Sequence, residues 1–370
     1  MRDHPLTDPG SAPASEAPVA FDEARGGDPI TINRPTQRWF GAFLGVAVSA
    51  ACVATLLRSV DLAQVGTSLT HATLWPLAIS VAFTSITVAC RAWRWQALLA
   101  PEEHADFWPT VEATLVGYLI IAVLPGRVGE LSRASLLGRT QGASTARAIG
   151  TIAVEKLYDV GALFLMLGGL AIVVPIPAWA RAAALTVGFG FALFLIAFGV
   201  ASTARSSIVE WLIRIVDPLP VLRGRRVSQF ASGLLGAASS FRVPRLVAIQ
   251  VLASGVLWGL AIGQTYLGTV AFGLDTGWDA ATFVLVATNL GMTVPSAPAS
   301  LGVYHGITVL SLEVFGVDTE VALALAIGVH ALGFGTLAGS GAICLAVGML
   351  RGRFEVADLW RWRAYREGPR

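Results

Sequence analysis

A run of charged residues follows a proline–glycine pair that separates two apolar stretches of the chain. The run reads Leu124-Pro125-Gly126-Arg127-Val128-Gly129-Glu130-Leu131-Ser132-Arg133. A helix beginning near Val128 places Glu130 and Arg133 on one face, three residues apart, and turns its free N–H groups toward the break. Helix N-termini and guanidinium groups both bind phosphate. Arg127 and Arg133 therefore predict an anion site that suits a lipid phosphate.

A second charged group, Glu155, Lys156 and Asp159, lies in an otherwise apolar stretch. Glu155 and Asp159 are four residues apart on one helix face, where two carboxylates repel each other unless a cation lies between them. A charge at the bilayer centre costs about 2.5–3.5 kcal/mol on insertion scales, so we expect this group to face a polar interior. The alternative is a position in the headgroup zone, with snorkelling side chains. The candidate partner cations are Arg94, Arg127 and Arg133.

A third candidate site residue, His305, follows a second proline-rich break. It is the one titratable group expected at membrane depth in this stretch, and it serves either as a structural hydrogen-bonding residue or as a proton carrier. Asn289, before the break, is expected to bond an exposed carbonyl. The residues expected to interrupt helices in the two breaks are Pro125, Gly126, Gly129, Pro295, Pro298 and Gly302.

The composition predicts an all-α polytopic membrane protein around these residues. The 370 residues are 55% hydrophobic and only 14% charged, against about 25% charged in soluble domains. Several runs exceed the roughly 18 apolar residues that mark a spanning helix. The net charge of +2 predicts no nucleic-acid partner. The three cysteines lie in apolar runs without metal-ligand spacing, so we predict no metal and no cofactor.

The placement of arginines orients the chain, because cytoplasmic loops of membrane proteins are rich in Arg and Lys. It puts both termini in the cytoplasm and the loop 58–71 outside. We predict a disordered tail over 1–36, a transmembrane domain over 37–353 and a basic tail over 354–370. A basic segment, 205–245, reads as an amphipathic helix on the cytoplasmic surface. The six predicted full spans are 39–57, 73–90, 149–174, 182–201, 246–272 and 321–350.

Two shorter apolar elements are predicted to be re-entrant. The stretch 111–124 would enter from the cytoplasm and return at Pro125, because the arginines after it would otherwise lie outside. The stretches 281–294 and 301–315 would form the second element, entered from outside. Two broken segments of opposite orientation are typical of an inverted-repeat transporter. The alternative is a pair of ordinary kinked helices.

Several motifs occur in one order along the chain. They are Arg91-Ala92-Trp93-Arg94-Trp95, Gly117-Tyr118, Leu124-Pro125-Gly126-Arg127-Val128-Gly129-Glu130, Arg133, Val154-Glu155-Lys156-Leu157-Tyr158-Asp159 and Pro295-Ser296-Ala297-Pro298-Ala299-Ser300-Leu301-Gly302-Val303-Tyr304-His305. Over about 40–350 this order resembles the flippase-like family, the membrane region of lysylphosphatidylglycerol synthases and their stand-alone relatives. The resemblance implies movement of a polar lipid between leaflets of the cytoplasmic membrane.

The resemblance has two departures. The sequence ends at Arg370 without a soluble aminoacyl-transferase domain, so it is expected not to be the synthase itself. Ala299 and Ser300 stand where the family often has glycines, and His305 stands where it often has glutamate. In the synthases the lipid is an aminoacylated phosphatidylglycerol, whereas other relatives are associated with polyprenyl-linked sugars, hopanoids or glycolipids.

Three functions compete on this evidence. A lipid translocator would hold its phospholipid or polyprenyl-linked substrate at the predicted site. No P-loop is present, so its energy would come from the substrate gradient or from an ion gradient, with Glu155 or His305 as proton carrier. A non-transporting partner of a cell-envelope synthase is the second candidate. A membrane glycosyltransferase is the third, with only Asp275 and Asp279 as candidate acids, and we predict that the protein is not an enzyme. An oligomer is compatible with the sequence.

Overall fold

Helices make up all the regular structure in the residues that the computed structural model describes, which are 35–101, 103, 105–124, 128–173, 185–186, 188–191, 193, 239–292, 296–353 and 355. The chain divides into two units, Met1–Phe40 and Gly41–Arg370, and only the start of the first helix is described in the former. The continuous helices are α1 Pro35–Ser59, α2 Leu62–Thr70, α3 Leu74–Leu99, α4 Phe107–Val123, α5 Val128–Gln141, α6 Thr145–Val173, α7 Pro244–Ala271, α8 Trp278–Gly291, α9 Val303–Glu313 and α10 Thr319–Leu350, with 3₁₀ turns at Ser239–Arg242 and Pro298–Ser300.

Three of these helices, α3, α7 and α10, are long and apolar enough to cross a membrane. A fourth span results if Gly45–Ser59 and α2, which meet at 92°, are counted together. The helices α3, α7 and α10 match the predicted spans 73–90, 246–272 and 321–350. Of the predicted span 149–174, residues 149–173 lie in α6, which also carries Arg147, Glu155, Lys156 and Asp159.

Other predicted segments lie outside the described residues. They include nearly all of the tail 1–36, most of the span 182–201, most of the basic segment 205–245 and nearly all of the tail 354–370. The count of six full spans therefore stays a prediction.

Two local predictions differ from the structure. The region 58–71, predicted as a loop, contains α2. Asp61 begins that helix by accepting a hydrogen bond from the backbone N–H of Ala63 at 2.8 Å, and Val65 is buried in an apolar cluster with α10. The helix α3 also continues past Arg91 and Arg94 to Leu99. The arginines do not end it because their charges are met by carboxylates within the protein.

Contacts between helix ends define two ends of the bundle. At one end, the N–H of Thr73 before α3 donates to the carbonyl of Ala271 at the end of α7, at 2.7 Å. We call this the Thr73 end. At the other end, Gln96 near the end of α3 donates to the carbonyl of Ala105 before α4, at 2.7 Å. We call this the Leu99 end.

The helices α4 and α5 form a hairpin that opens at the Leu99 end. The N–H of Asp106, before α4, donates to Oε1 of Gln141, the last residue of α5, at 2.6 Å. Midway along, Gly117 packs on Gly129, where an added Cβ would overlap the carbonyl oxygen of Gly117. Gly129 was predicted to interrupt a helix, but it lies within the first turn of α5 and serves close packing. Pro125, Gly126 and Arg127 lie outside the described residues.

The helices α8 and α9 form a second hairpin, which opens at the Thr73 end. Trp278 at the start of α8 stacks on Tyr266 near the end of α7, with ring centroids 4.2 Å apart. The open ends of the hairpin meet at Phe283 and Phe315, whose centroids are 5.7 Å apart. The two hairpins therefore open at opposite ends of the bundle, and that they are re-entrant elements stays a prediction.

The tip of the second hairpin has an unusual backbone. Ala299 and Ser300 both have φ of 54°, and Gly302, which precedes α9, has φ of 84°. Left-handed backbone at non-glycine residues costs of the order of 1–3 kcal/mol each and occurs mainly where the surroundings enforce it. Here Ser49 of α1 accepts a hydrogen bond from the N–H of Ala297 at 2.9 Å. Pro298 and Gly302 thus lie in the predicted break, while Pro295 lies outside the described residues.

The outer surface of the bundle is apolar. Leu165 and Ile172 of α6 and Leu252 of α7 are 80%, 82% and 70% exposed. In water such exposure of several helices would be unfavourable, whereas in a bilayer the hydrocarbon covers these side chains. The carboxylates Glu155 and Asp159 of α6, by contrast, are buried inside the protein.

Candidate functional site

Five charged side chains from three helices meet inside the bundle near the Leu99 end. Arg94 of α3 is completely buried, Glu155 of α6 is 2% exposed, and Asp159 and Arg133 are also buried. Arg91, on the next turn of α3, completes the group. We call Arg91, Arg94, Arg133, Glu155 and Asp159 the charged cluster. The α6 carboxylates are buried among these arginines and do not extend outward from the protein as snorkelling side chains would.

Arg94 is the centre of the charged cluster. Its Nη1 donates to Oδ1 of Asp159 at 2.8 Å and to the hydroxyl of Ser254 on α7 at 2.9 Å. Its Nε lies 3.5 Å from Oε1 of Glu155. The backbone carbonyl of Arg94 accepts a hydrogen bond from Nε2 of Gln250 at 3.1 Å. One guanidinium therefore lies between the two carboxylates, as their four-residue spacing on α6 requires.

Arg133 joins the first hairpin to the charged cluster. Its Nη2 donates to Oε2 of Glu155 at 2.5 Å. Its guanidinium lies 4.6 Å from the ring centroid of Trp95, a cation–π contact. The indole N–H of Trp95 in turn donates to the hydroxyl of Thr151 at 2.9 Å. Arg133 is thus fixed in position by an acid and an aromatic face from two different helices.

The charged cluster keeps unused hydrogen-bonding capacity. Arg91 also contacts Asp159, at 3.4 Å. The charged cluster therefore has three guanidinium groups for two carboxylates. Among the described residues, Nε and Nη2 of Arg94, Nε of Arg133 and Oε1 of Glu155 have no hydrogen-bond partner although they are buried. Buried polar atoms are normally satisfied. Excess positive charge with unused N–H donors is the environment that an anionic group or ordered water would complete.

A second ion pair borders the charged cluster. Nζ of Lys156 lies 2.9 Å from Oε1 of Glu130, and the two side chains are 38% and 19% exposed. Neighbouring residues of α6, Glu155 and Lys156, thus pair with two residues of α5, Arg133 and Glu130. The helices α5 and α6 are held together at two levels, one buried and one partly open.

His305 belongs to a different part of the molecule. Its Nδ1 accepts a hydrogen bond from the N–H of Gly302 at 3.3 Å, which caps the start of α9. It is not a lone titratable group as predicted, because His330 of α10 lies beside it, with ring centroids 5.0 Å apart. Asn289 donates to the carbonyl of Leu285, within its own helix, at 2.8 Å.

Sequence reasoning left several residues out of the site. Arg91 could have been found from its three-residue spacing to Arg94. Gln250 and Ser254 are polar residues four apart in an apolar span, which is a weak signal of one polar face. Trp95 and Thr151 gave no signal, since their roles depend on contacts between helices. Within the described ranges, no group of three His, Cys, Asp or Glu residues is placed to hold a metal ion.

Apolar spanning helices, two opposed hairpins and a buried charged cluster define a helical membrane protein with a polar interior site. The chain matches the family model of the lysylphosphatidylglycerol synthase TM region over residues 42–341. It belongs to this family, as the order of its motifs predicted. The matched region contains the whole charged cluster and both hairpins. The comparison with curated proteins gave no match.

Proposed function

We propose that this protein moves a polar lipid between the leaflets of the cytoplasmic membrane, and that the charged cluster holds the anionic headgroup. One observation carries the proposal: three arginines face two buried carboxylates, and the two buried ones, Arg94 and Arg133, retain unused N–H donors. A phosphate oxygen is the natural acceptor for these donors. The family supports a lipid-related role for the membrane domain.

The desolvation cost of burying the charged cluster favours a functional role for these residues. Burying an ion pair gives little net stability, and well-packed apolar residues often stabilise a fold as well or better. Arg94 and Glu155 are almost inaccessible, so their desolvation is nearly complete. A membrane protein that keeps four buried charged groups in one place, Arg94, Arg133, Glu155 and Asp159, retains them for a ligand that needs them.

The two hairpins supply the surroundings that translocation requires. We infer that each is a re-entrant element, so that its broken backbone lines a polar interior rather than lipid. The first hairpin contributes Arg133 to the charged cluster and Glu130 to its partly exposed border. We propose that the pair Glu130–Lys156, being the more open of the two, is where a headgroup first contacts the site. The candidate substrates are an anionic phospholipid and a polyprenyl-linked lipid.

A transport assay tests the proposed function. Fluorescent phosphatidylglycerol in reconstituted phosphatidylcholine vesicles would be quenched from outside, so that the accessible fraction reports movement between leaflets. We expect Arg133→Gln and Glu155→Gln each to slow translocation by about 10-fold or more, which is the effect of losing one charge-assisted contact of about 1.5–3 kcal/mol.

The matched control is Arg353→Gln. Arg353 also pairs with a glutamate, Glu112, at 2.7 Å, but on the surface, so its loss should leave translocation unchanged. Equal rates for wild type, Arg133→Gln and Glu155→Gln would reject the charged cluster as the site. A wild type that moves neither phosphatidylglycerol nor a polyprenyl phosphate would favour the alternative of a non-transporting partner of an envelope synthase.

We propose that the Leu99 end faces the cytoplasm, with both termini on that side. Arg351 and Arg353, which follow α10, and Arg139 and Arg147, at the end of α5 and the start of α6, lie at this end, in keeping with the enrichment of basic residues in cytoplasmic loops. A reporter inserted after Gly142, between α5 and α6, is expected to report the cytoplasm. A reporter after Gly316, between α9 and α10, is expected to report the outside. The same side for both insertions would contradict the two opposed hairpins.

A further inference from the structure

At the tip of the second hairpin, a partly buried histidine, His305, lies beside a buried one, His330. His330 of α10 is 5% exposed, and its ring centroid lies 5.0 Å from that of His305 and 4.4 Å from that of Tyr304. Phe334, one turn further along α10, closes the other side at 4.5 Å. Nε2 of His330 has no hydrogen-bond partner among the described residues. We call His305 and His330 the histidine pair.

Two exposed tryptophans indicate how deep the histidine pair lies in the bilayer. Trp75 and Trp93 of α3 are 58% and 46% exposed, and exposed tryptophans concentrate at membrane–water interfaces. Eighteen residues of helix separate them, about 27 Å, close to the roughly 30 Å hydrocarbon thickness of a bilayer. Thr84 lies halfway between them along α3.

Contacts from Thr84 to α7 and α10 show at which depth in the bilayer the histidine pair lies. The hydroxyl of Thr84 accepts a hydrogen bond from Nε2 of Gln264 on α7 at 3.0 Å. The same amide nitrogen would lie 3.8 Å from a Cβ placed on Gly333, one turn from His330 on α10. Gly333 is therefore near the middle of the bilayer. His330 precedes it by three residues on α10, so it lies about 5 Å from the middle of the bilayer, toward the Thr73 end. The charged cluster lies instead at the level of Trp93, near the opposite interface.

The groups that face the histidine pair are nearly all uncharged. The ring of Tyr304 on α9 packs against His330. At the hairpin tip, the backbone of Ala299 hydrogen-bonds His330. Gln264 of α7 lies near Gly333, one turn from His330, and Cys52 of α1 lies near Gly306, which follows His305 in the chain. No carboxylate of the described residues contacts either histidine. A proton taken up here is balanced by no fixed negative charge of those residues.

We propose that the histidine pair binds one proton during transport, so that an anionic headgroup crosses mid-depth together with one proton. The inference rests on the proposed function and adds its coupling ion. A phosphate that leaves the charged cluster must pass the region where a bare charge is most costly. A proton on His330 would neutralise the negative charge of the phosphate there. In the imidazolium form both ring nitrogens are donors, so Nε2 would donate a hydrogen bond to the phosphate.

The geometry limits the pair to a single proton. Two imidazolium rings 5.0 Å apart would repel each other strongly in a low-dielectric interior. The rings are packed against aromatic neighbours, so a proton fits where a larger cation would not. The left-handed backbone at Ala299 and Ser300 lies directly at this tip, and strained loops of this kind occur where a segment changes conformation.

A thermodynamic experiment tests the inference. Vesicles with a trace of fluorescent phosphatidylglycerol would carry a pH gradient, with valinomycin and potassium to set the membrane potential. If one proton accompanies each anionic headgroup, one pH unit sustains about a 10-fold leaflet asymmetry, because each pH unit is a 10-fold proton gradient. The movement is electroneutral, so changing the potential should not alter the asymmetry.

The variants His330→Gln and His305→Gln keep hydrogen-bonding capacity but do not titrate. We expect both to move the lipid more slowly than the wild type and to lose the pH-driven asymmetry, because the headgroup then crosses without its proton, while the exposed control His71→Gln keeps both the rate and the asymmetry. Retention of wild-type asymmetry by both variants would overturn the assignment to the histidine pair. A wild type that moves lipid without any pH-driven asymmetry would overturn the coupling and leave the proposed function standing. Absence of any lipid movement would overturn both.

Discussion

Replacing Arg94 with alanine is expected to lower the free energy of unfolding by about 3–5 kcal/mol, the usual cost of breaking a buried ion pair from one side. The guanidinium contacts both Glu155 and Asp159 and is itself completely buried. Its removal leaves Arg91, at 3.4 Å, as the remaining ion-pair partner of Asp159 among the described residues. Unfolding in mixed detergent–SDS micelles, followed by tryptophan fluorescence, would measure the loss.

Two further variants separate charge from packing. The double substitution Arg94→Gln with Asp159→Asn removes one charge of each sign, so it should be more stable than Arg94→Ala. Arg353→Ala breaks a surface pair with Glu112 and should change the free energy of unfolding by at most about 1 kcal/mol, as exposed pairs do. A loss for Arg94→Ala no larger than that of Arg353→Ala would mean that the charged cluster contributes nothing to the fold.

Replacing Gly129 with alanine is expected to destabilise the protein by about 3 kcal/mol, the upper part of the range for overpacking a core. The new Cβ would overlap the carbonyl oxygen of Gly117 and the side chain of Ile121. The first obstacle is backbone, which cannot rotate away, so α4 and α5 must separate. Because Arg133 follows one turn later on α5, the same change should also displace it from Glu155 and slow lipid movement.

The matched control for this change is Gly168→Ala in the interior of α6. Nothing lies within 4 Å of a Cβ at Gly168, and alanine favours the helix by about 1 kcal/mol over glycine. Gly168→Ala should therefore be neutral or stabilising in the same unfolding assay. Equal stability of Gly129→Ala and the wild type would contradict the close packing of the first hairpin.

Local rules predicted much of the scaffold. Apolar length alone located α3, α7 and α10, because a spanning helix must satisfy its own backbone in hydrocarbon. Proline and glycine located the tip of the second hairpin, since Pro298 and Gly302 lie where α8 and α9 are interrupted. The same rules missed α2, whose nine residues are too few to show a clear apolar period in a stretch assigned to a loop.

The carboxylate face of the site was also visible in the sequence. Glu155 and Asp159 are one turn apart on α6, so any helix over this stretch places them together and makes a cation necessary. Local spacing could not choose the cation. Arg94 contacts Asp159 from 65 positions away and Ser254 from 160 positions away, so these contacts depend on how α3, α6 and α7 pack.

The sequence by itself thus determined that this is a helical membrane protein with two proline- and glycine-rich breaks and with two carboxylates on one face of a helix. Helical period, capping and apolar length act over a few residues and can be read along the chain. Only the tertiary structure decided that Arg94 lies between the two carboxylates, that Arg91 joins them, and that His330 lies beside His305. Those contacts join helices far apart in sequence, and side-chain fit between helices, which no local pattern encodes, selects them.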